Sequence, residues 1–158
     1  MTKIKLLIFS DSHGDVGTMI DITEKEQPDE LIHLGDHWND AETLSFAFPD
    51  IPIAMVPGNC DPCWGKKDKL ILKREGKTIL LAHGHQWRVK STSALAIEIA
   101  REEDTDVLLF GHTHQALCHR DQEMWVMNPG TVGGRWAPAS YGIIEIGESG
   151  LECRLVFL

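Results

Sequence analysis

The sequence predicts an α/β protein in which two packed sheets carry helices on their outer faces. Three observations predict it. The first half alternates short apolar runs with amphipathic stretches, a β-α-β-α-β order that favours a parallel sheet with right-handed crossovers. The second half is rich in hairpin signals, so antiparallel strands join the parallel ones. Five apolar runs also end on residues that bind metals. These are Lys5–Phe9 before Asp11 and His13, Leu31–Leu34 before Gly35 and Asp36, and Ile53–Val56 before Gly58 and Asn59. Thr78–Ala82 precedes His83, Gly84 and His85, and Val107–Phe110 precedes Gly111, His112, Thr113 and His114. Ligands gather outside the carboxyl ends of strands in such sheets, so five coincidences point to one site drawn from most of the chain.

The elements follow in order. Ile4–Phe9 reads as a buried strand, followed by a loop through Gly14. Val16, Met19, Ile20 and Ile22 form the apolar stripe of a helix over Val16–Lys25, which Pro28 ends. Strand Glu30–Leu34 comes next, then a short helix around Ala41–Phe46. Pro49 and Pro52 bracket the entry to strand Ile53–Val56. Lys69–Lys73 and Lys77–Ala82 flank Glu75 and Gly76 as a hairpin. Leu95, Ala96, Ile99 and Ala100 mark a helix over Thr92–Arg101, and strand Val107–Phe110 follows. Strands Ala116–Arg120, Met124–Met127, Tyr141–Ile146 and Leu151–Phe157 read as a largely antiparallel end, with turns at Asp121-Gln122 and Gly147–Gly150. The segment from Asn128 to Gly134 is a loop rich in breakers. No linker, repeat or low-complexity stretch interrupts the chain, so residues 1–158 read as a single domain.

The bulk numbers narrow the function classes. The 158 residues are 42% hydrophobic and 25% charged, an ordinary composition for a soluble globular protein. Fifteen basic and 24 acidic residues give a net charge of -9, which argues against stable nucleic-acid binding and against an anionic membrane surface. A phosphorylated substrate stays open, because bound metal supplies positive charge locally. No run approaches the roughly 20 apolar residues of a membrane helix, and the N-terminus lacks a signal peptide's apolar core. A cytoplasmic location is expected. The four cysteines do not form a disulfide framework. Cys60 and Cys63 also read as a CxxC, a redox pair or half a zinc site, but their overlap with Gly58 and Asn59 is the simpler account.

Asp11, Asp36 and Asn59 offer oxygen donors; His13, His83, His85, His112 and His114 offer nitrogen. Mixed carboxylate and imidazole donors suit Mn, Fe, Zn or Ni better than Ca or Mg alone. The set is too large for one open metal site and about right for two. A pair of divalent ions about 3.5–4 Å apart is a common design for phosphoester hydrolysis. A carboxylate must bridge such a pair to offset cation repulsion, and Asp36, at a strand end, is the best placed.

Asp11-Ser12-His13, Gly35-Asp36, Gly58-Asn59, His83-Gly84 and Gly111-His112-Thr113-His114 resemble the ordered motifs of the calcineurin-like metallophosphoesterases. The short length, Gly58-Asn59-Cys60-Asp61 and Asn128-Pro129-Gly130 look most like the compact YfcE-type phosphodiesterases. The resemblance implies a four-layer α/β/β/α sandwich and a di-metal site. It implies that Asp11, His13 and His114 hold one metal, that Asn59, His83 and His112 hold the second, and that Asp36 bridges. A metal-bridging hydroxide would then attack phosphorus in line, with Asp36 and Asn59 at the reacting centre. Two divalent metal ions are the expected cofactors, Mn2+ first and Fe, Ni, Zn or Mg as alternatives. Larger family members carry His after the motif Asn to help protonate the leaving group; here that position is Cys60, a poorer match to such work near neutral pH. His85 is assigned to the leaving group or to phosphate binding.

Other residues carry competing readings. His33 reads as a packed core histidine, His37 as a supporting or surface residue, and His119 as part of a hairpin. Arg135 follows a Gly pair and reads either as a phosphate contact or as a surface residue. Trp38, Trp64 and Trp87 each follow a motif; they read as packing around the site, with a pocket for a base or aromatic leaving group as the alternative. The expected substrate is a small phosphoester. The chain could form a homo-oligomer through its Trp-bearing loops or edge strands. The second functional reading is a retromer-subunit-like interaction scaffold with a non-catalytic metal site; the completeness of the seven donors favours the enzyme.

Overall fold

The alternation of apolar residues along each strand decides the architecture. In β1 (Ile4–Phe9), Leu6 and Ile8 point one way and Leu7 and Phe9 the other, and all four are buried. A strand buried on both faces needs a layer on each side. The computed structural model describes residues 3–134 and 137–158, and it supplies those layers. Leu6 and Ile8 join Ile32, Leu34, Val56, Ile79, Leu81, Val107 and Leu109 in a core between two sheets. Leu7 and Phe9 pack with Met19 and Ile22 of helix α1 (Val16–Glu26) and Leu44 of α2 (Trp38–Ala47). Leu80, Ala82, Leu108 and Phe110 face Ala96 and Ala100 of α3 (Ala94–Glu102) on the opposite side. The result is the expected four-layer α/β/β/α sandwich.

The first sheet also contains β2 (Glu30–His33), β3 (Ile53–Met55), β9 (Ser140–Gly147) and β10 (Gly150–Phe157), in the order β10-β9-β1-β2-β3. β1, β2 and β3 are parallel, with Phe9 opposite His33 and His33 opposite Met55. The second sheet has the order β4-β5-β6-β8-β7, built from β4 (Lys69–Arg74), β5 (Lys77–Ala82), β6 (Val107–Leu109), β7 (Leu117–Asp121) and β8 (Met124–Asn128). Glu75 and Gly76 both have positive φ, 49° and 78°, as a tight two-residue hairpin turn between β4 and β5 requires.

One expectation is refined and one needs correction. The final strands are largely antiparallel as expected, and the refinement is that β8, antiparallel to β7, also runs parallel to β6, with Leu109 opposite Met127, before the hairpin β9–β10 joins the first sheet. α2 begins at Trp38, not near Ala41. Its first turn, Trp38-Asn39-Asp40, carries no apolar period, and the helix starts there because Asp36 and His37 turn the chain through left-handed backbone, φ 58° and 67°. A turn of helix directly behind Asp36 brings Asp40 under the site.

Candidate metal centre

β1, β2 and β3 release their carboxyl ends at one side of the first sheet, and the parallel pair β5 and β6 does so in the second. Backbone bonds then tie the β1 loop to the β2 loop, the β5 loop to the β6 loop, and the segment after β8 to the end of β1. Asp11 N donates to Gly35 O at 3.0 Å, Gly111 N donates to His83 O at 2.8 Å, and Val132 N donates to Ser10 O at 3.2 Å. His83 crosses between the sheets, its Nδ1 2.8 Å from Leu34 O. A carbonyl only accepts, so Nδ1 carries the proton and Nε2 turns toward the other donors.

Five of the seven metal-donor residues adopt left-handed backbone: Asp11 at φ 52°, His13 at 48°, Asp36 at 58°, His112 at 70° and His114 at 62°. Such a conformation costs a non-glycine residue on the order of 1–3 kcal/mol and persists where surrounding structure over-determines it. Here it folds each loop back so that the side chain meets the others. Two true glycines permit the closest approach: a Cβ on Gly35, itself at φ 105°, would lie 2.6 Å from Gly58 N, and a Cβ on Gly58 would overlap the Asp36 carboxylate.

The side chains form two groups with a common member. One combines Asp11, His13 and His114, the other Asp11, Asp36 and His83; in each, the candidate donor atoms lie within 4.8 Å of one another. His114 Nε2 is 3.2 Å from Asp11 Oδ1 and 3.4 Å from His13 Nε2. His83 Nε2 is 3.6 Å from Asp36 Oδ2, 3.9 Å from Asp11 Oδ1 and 3.2 Å from His112 Nδ1. Asp11 and His83 are fully buried and Asp36 is 3% exposed, while His13, His112 and His114 are half-buried and open the group to solvent. Asn59 is exposed in the turn after β3.

This donor set fits divalent cations. Asp11 Oδ1 is buried, has His114 Nε2 at 3.2 Å, and converges with Asp36 Oδ2 and the Nε2 face of His83. Buried acceptors in such proximity repel one another unless positive charge stands among them. Burial alone would raise the Asp11 carboxyl, but His114, the charge of His83 and the Ser10 hydroxyl outweigh it and hold it at about 2. Burial, the His83 charge and the Lys90 charge push His112 down to about 4; burial and the His114 charge also lower His13. Imidazoles kept neutral are ready to ligate.

Polar residues to which the sequence reading gave no task hold the donors in place. Ser10 Oγ donates to Asp11 Oδ2 at 2.6 Å, and His112 N donates to the same oxygen at 3.2 Å. Thr131 Oγ1 donates to Asp11 O at 2.8 Å. Asn128, fully buried, donates from Nδ2 to Gly111 O at 3.0 Å and to Thr113 Oγ1 at 2.8 Å, bracing the His112–His114 loop. Ser12 Oγ donates to Asp40 Oδ2 at 2.8 Å, and Gly14 N donates there at 2.7 Å. The available signals were the Ser residues flanking Asp11 and an Asp four positions after Asp36.

The remaining candidates sort clearly. His33 is buried in the core as read, and it is also hydrogen-bonded at both nitrogens. His85 is exposed at the start of a 3-10 turn, His85–Trp87, with its ring 5.6 Å from that of His83 and 6.1 Å from that of His112. Burial and the His83 charge lower its pKa. Trp87 is a core residue packed against the α3 side, whereas Trp38 is half-buried and Trp64 is exposed. Cys60 and Cys63 are exposed free thiols; burial and the neighbouring Asp36 push the Cys60 thiol up, so it stays protonated. Arg135 lies outside the described residues. Among the described residues no helix is long and apolar enough to cross a membrane.

The fold and the cluster define a metallophosphoesterase, and comparison with known proteins agrees. The family model for the calcineurin-like phosphoesterase superfamily domain matches residues 4–149. The "Probable metallophosphoesterase YsnB" of Bacillus subtilis (strain 168) is 35% identical over 131 residues, 82% of this chain and 75% of that one. "Phosphodiesterase YfcE" of Escherichia coli (strain K12) is 26% identical over 172 residues, covering 90% of this chain and 88% of that one. Among solved structures, a predicted phosphoesterase from Streptococcus pneumoniae TIGR4 superposes with a TM-score of 0.80 at 23% identity, over 99% of this chain and 91% of that one. Vps29 from Entamoeba histolytica, complexed with zinc, shares the fold at a TM-score of 0.77 and 18% identity, over 98% of this chain and 99% of that one. The chain belongs to the calcineurin-like phosphoesterase superfamily. Its membership, its metal-binding Asp and His cluster and its phosphodiesterase-named relative support a hydrolase.

Proposed function

We propose that the protein is a di-metal phosphodiesterase acting on small substrates. The observation that carries this reading is the pair of overlapping donor groups at the carboxyl ends of four strands, β1, β2, β5 and β6. One ion is assigned to Asp11, His13 and His114, the other to Asn59, His83 and His112. Asp36 is assigned to both. Its free capacity supports that choice: Asp11 Oδ2 already accepts two hydrogen bonds, whereas Asp36 accepts the Cys60 amide on Oδ1 at 3.1 Å and keeps Oδ2 turned to His83. Asn59 adds an oxygen without adding negative charge. Two divalent ions, Mn2+ first on donor chemistry, would draw charge from the phosphoryl oxygens and acidify a water between them.

The chain's own residues then have defined tasks. The Leu34 carbonyl fixes the His83 tautomer. The Asp11 carboxyl, held at about 2, stays ionised near neutral pH. His85 lies outside both donor groups yet beside His83 and His112, which supports assigning it to the phosphoryl group or the leaving group. Cys60 stays a thiol and gives little proton transfer, which restricts the enzyme to esters whose alcohol leaves readily.

The test is chelation followed by restoration. Removing metal from the purified protein abolishes hydrolysis of bis(p-nitrophenyl) phosphate, and adding Mn2+ restores it. Absence of turnover with every one of Mn2+, Fe2+, Ni2+, Zn2+ and Mg2+ would replace the enzyme with the scaffold reading.

A further inference from the structure

Beside the donor cluster lies a cavity of about 610 Å³, with His37, Trp38, Glu42, Cys60, Trp64 and Lys66 in its walls. Two of these residues belong to the loops that carry the donors. His37 follows Asp36, and its ring is 4.9 Å from that of His13; Cys60 follows Asn59, and its amide donates to Asp36 Oδ1. A phosphoryl group placed over the cluster therefore has this cavity at its side.

The walls have a definite chemistry. The Trp64 indole is 95% exposed, a large aromatic face that nothing among the described residues covers. Trp38 is fixed: its amide donates to Asp61 Oδ1 at 2.9 Å, and the Lys66 ammonium stands 4.9 Å from its ring centroid. Lys66 also donates to Pro62 O at 3.0 Å, so the cation is held at the cavity. Asp61 is occupied by the amides of Trp38 and Gly58, the latter at 2.9 Å. Against the Lys66 ammonium the walls set two carboxylates, Glu42 and the amide-bonded Asp61, so the cavity carries no excess of positive charge. Such a site offers little to a second phosphate. It suits a flat, uncharged group with acceptor atoms at its edge, because aromatic faces stack on any such group and a lysine donates to its acceptors.

We infer that this cavity binds one ester substituent of the substrate, and that the substituent is a planar heteroaromatic group of nucleoside type. Trp64 stacks on the base and Lys66 meets its ring or carbonyl acceptors. The inference rests on the phosphodiesterase reading and names the substrate class of that site. The net charge of -9 favours a small nucleotide ester over a polynucleotide.

The experiment measures competitive inhibition of bis(p-nitrophenyl) phosphate hydrolysis by the Mn2+-loaded protein. AMP and ribose 5-phosphate are the probes, since they differ by the base alone. AMP inhibits about tenfold more tightly than ribose 5-phosphate, the gain typical of one stacked base. Trp64→Ala brings the ratio close to one while the ribose 5-phosphate constant stays put; Lys66→Ala lowers the ratio in part. Trp64 is exposed, so its replacement leaves the fold intact. Equal inhibition by the two probes in the unaltered protein, or a ratio that survives Trp64→Ala, overturns the inference while turnover itself continues. Loss of all metal-dependent turnover in the unaltered protein overturns the phosphodiesterase reading, and this inference with it.

Discussion

His33 Nε2 lies 3.0 Å from the hydroxyl of Ser12, and this contact joins the loop of Asp11 to the strand of Asp36. The proton positions in the chain of bonds are determined. Gly35 N donates to His33 Nδ1 at 3.2 Å, so the ring proton sits on Nε2 and goes to Ser12; Ser12 passes its own proton to Asp40. Burial holds His33 at a pKa of about 4, so the ring is neutral and the direction of the chain is fixed. Ser12 stands between Asp11 and His13, and Gly35 precedes Asp36. The network therefore sets the spacing of three donors without touching a metal.

His33→Ala leaves the Gly35 amide without its acceptor in the interior and takes one of two bonds from the Ser12 hydroxyl, which keeps Asp40. The unpaired amide costs on the order of 1–3 kcal/mol. Metal affinity should fall by about 10- to 100-fold, the usual cost of removing a group that orients ligands, and Ser12→Ala should cause a loss of the same order. Metal titration beside a thermal unfolding scan checks this. A destabilised His33→Ala protein with unchanged metal affinity would reduce His33 to a packing residue.

Gly58→Ala tests the close approach of two donor loops. The added Cβ would overlap the Asp36 carboxylate, so either the carboxylate or the β3 loop must move. Overpacking of this kind costs about 1–3 kcal/mol, and activity should fall far more than stability. Gly17 in α1 is the control, since nothing lies within 4 Å of its Cβ position. Gly17→Ala should raise stability by about 0.4–1 kcal/mol and leave turnover unchanged. Equal turnover in Gly58→Ala and the unaltered protein would mean that the carboxylate is free to shift.

What the sequence disclosed and what it withheld divide along physical lines. Strands were legible because an apolar run bounded by Gly and Pro has few other ways to be buried: β1 spans the expected Ile4–Phe9 exactly as patterned. The donor residues were legible because they sit directly after such runs. The tasks of Asp40, Ser12 and Asn128 were not, although the last two stand inside recognised motifs, because each acts through a hydrogen bond to a residue 15 or more positions away, and periodicity carries no signal for that. The start of α2 was hidden because it depends on left-handed backbone at Asp36 and His37, a conformation that residue type disfavours and the assembled site imposes. Trp87 and Trp64 look alike as residues that follow a motif; only the packing of Trp87 against the α3 side separates core from pocket wall.

Away from the site, Glu26 should shape the acid limb of stability. Its half-buried carboxylate would be raised by burial, but Lys5 at 2.8 Å and the Tyr141 hydroxyl at 2.6 Å outweigh this and lower it. A depressed folded-state pKa gives stability that is fully present above the unfolded value, about 4.3, and lost as pH falls through the folded value. Tyr141→Phe removes one of the bonds that depress it. The difference in unfolding free energy between the two proteins should be largest at neutral pH and shrink below about pH 4.3. Denaturant unfolding across pH 3–7 measures it, and a difference that is constant across the range would mean that the hydroxyl does not act through the Glu26 charge.

The bridging assignment separates Asp36 from Asp11. Asp11 is common to both donor groups by distance, yet its Oδ2 is committed to Ser10 and His112, and only Oδ1 remains. Asp36 has the greater spare capacity. Replacing Asp36 by Asn removes the negative charge that offsets repulsion between two cations, so both ions should bind more weakly and turnover should vanish. Asp11→Asn should weaken chiefly the ion assigned to His13 and His114, leaving close to one metal per chain. Metal content and turnover measured on the same metal-defined samples decide between the two carboxylates. Near-normal activity in Asp36→Asn would remove it from the bridging position, and loss of both ions in Asp11→Asn with only one lost in Asp36→Asn would transfer that position to Asp11.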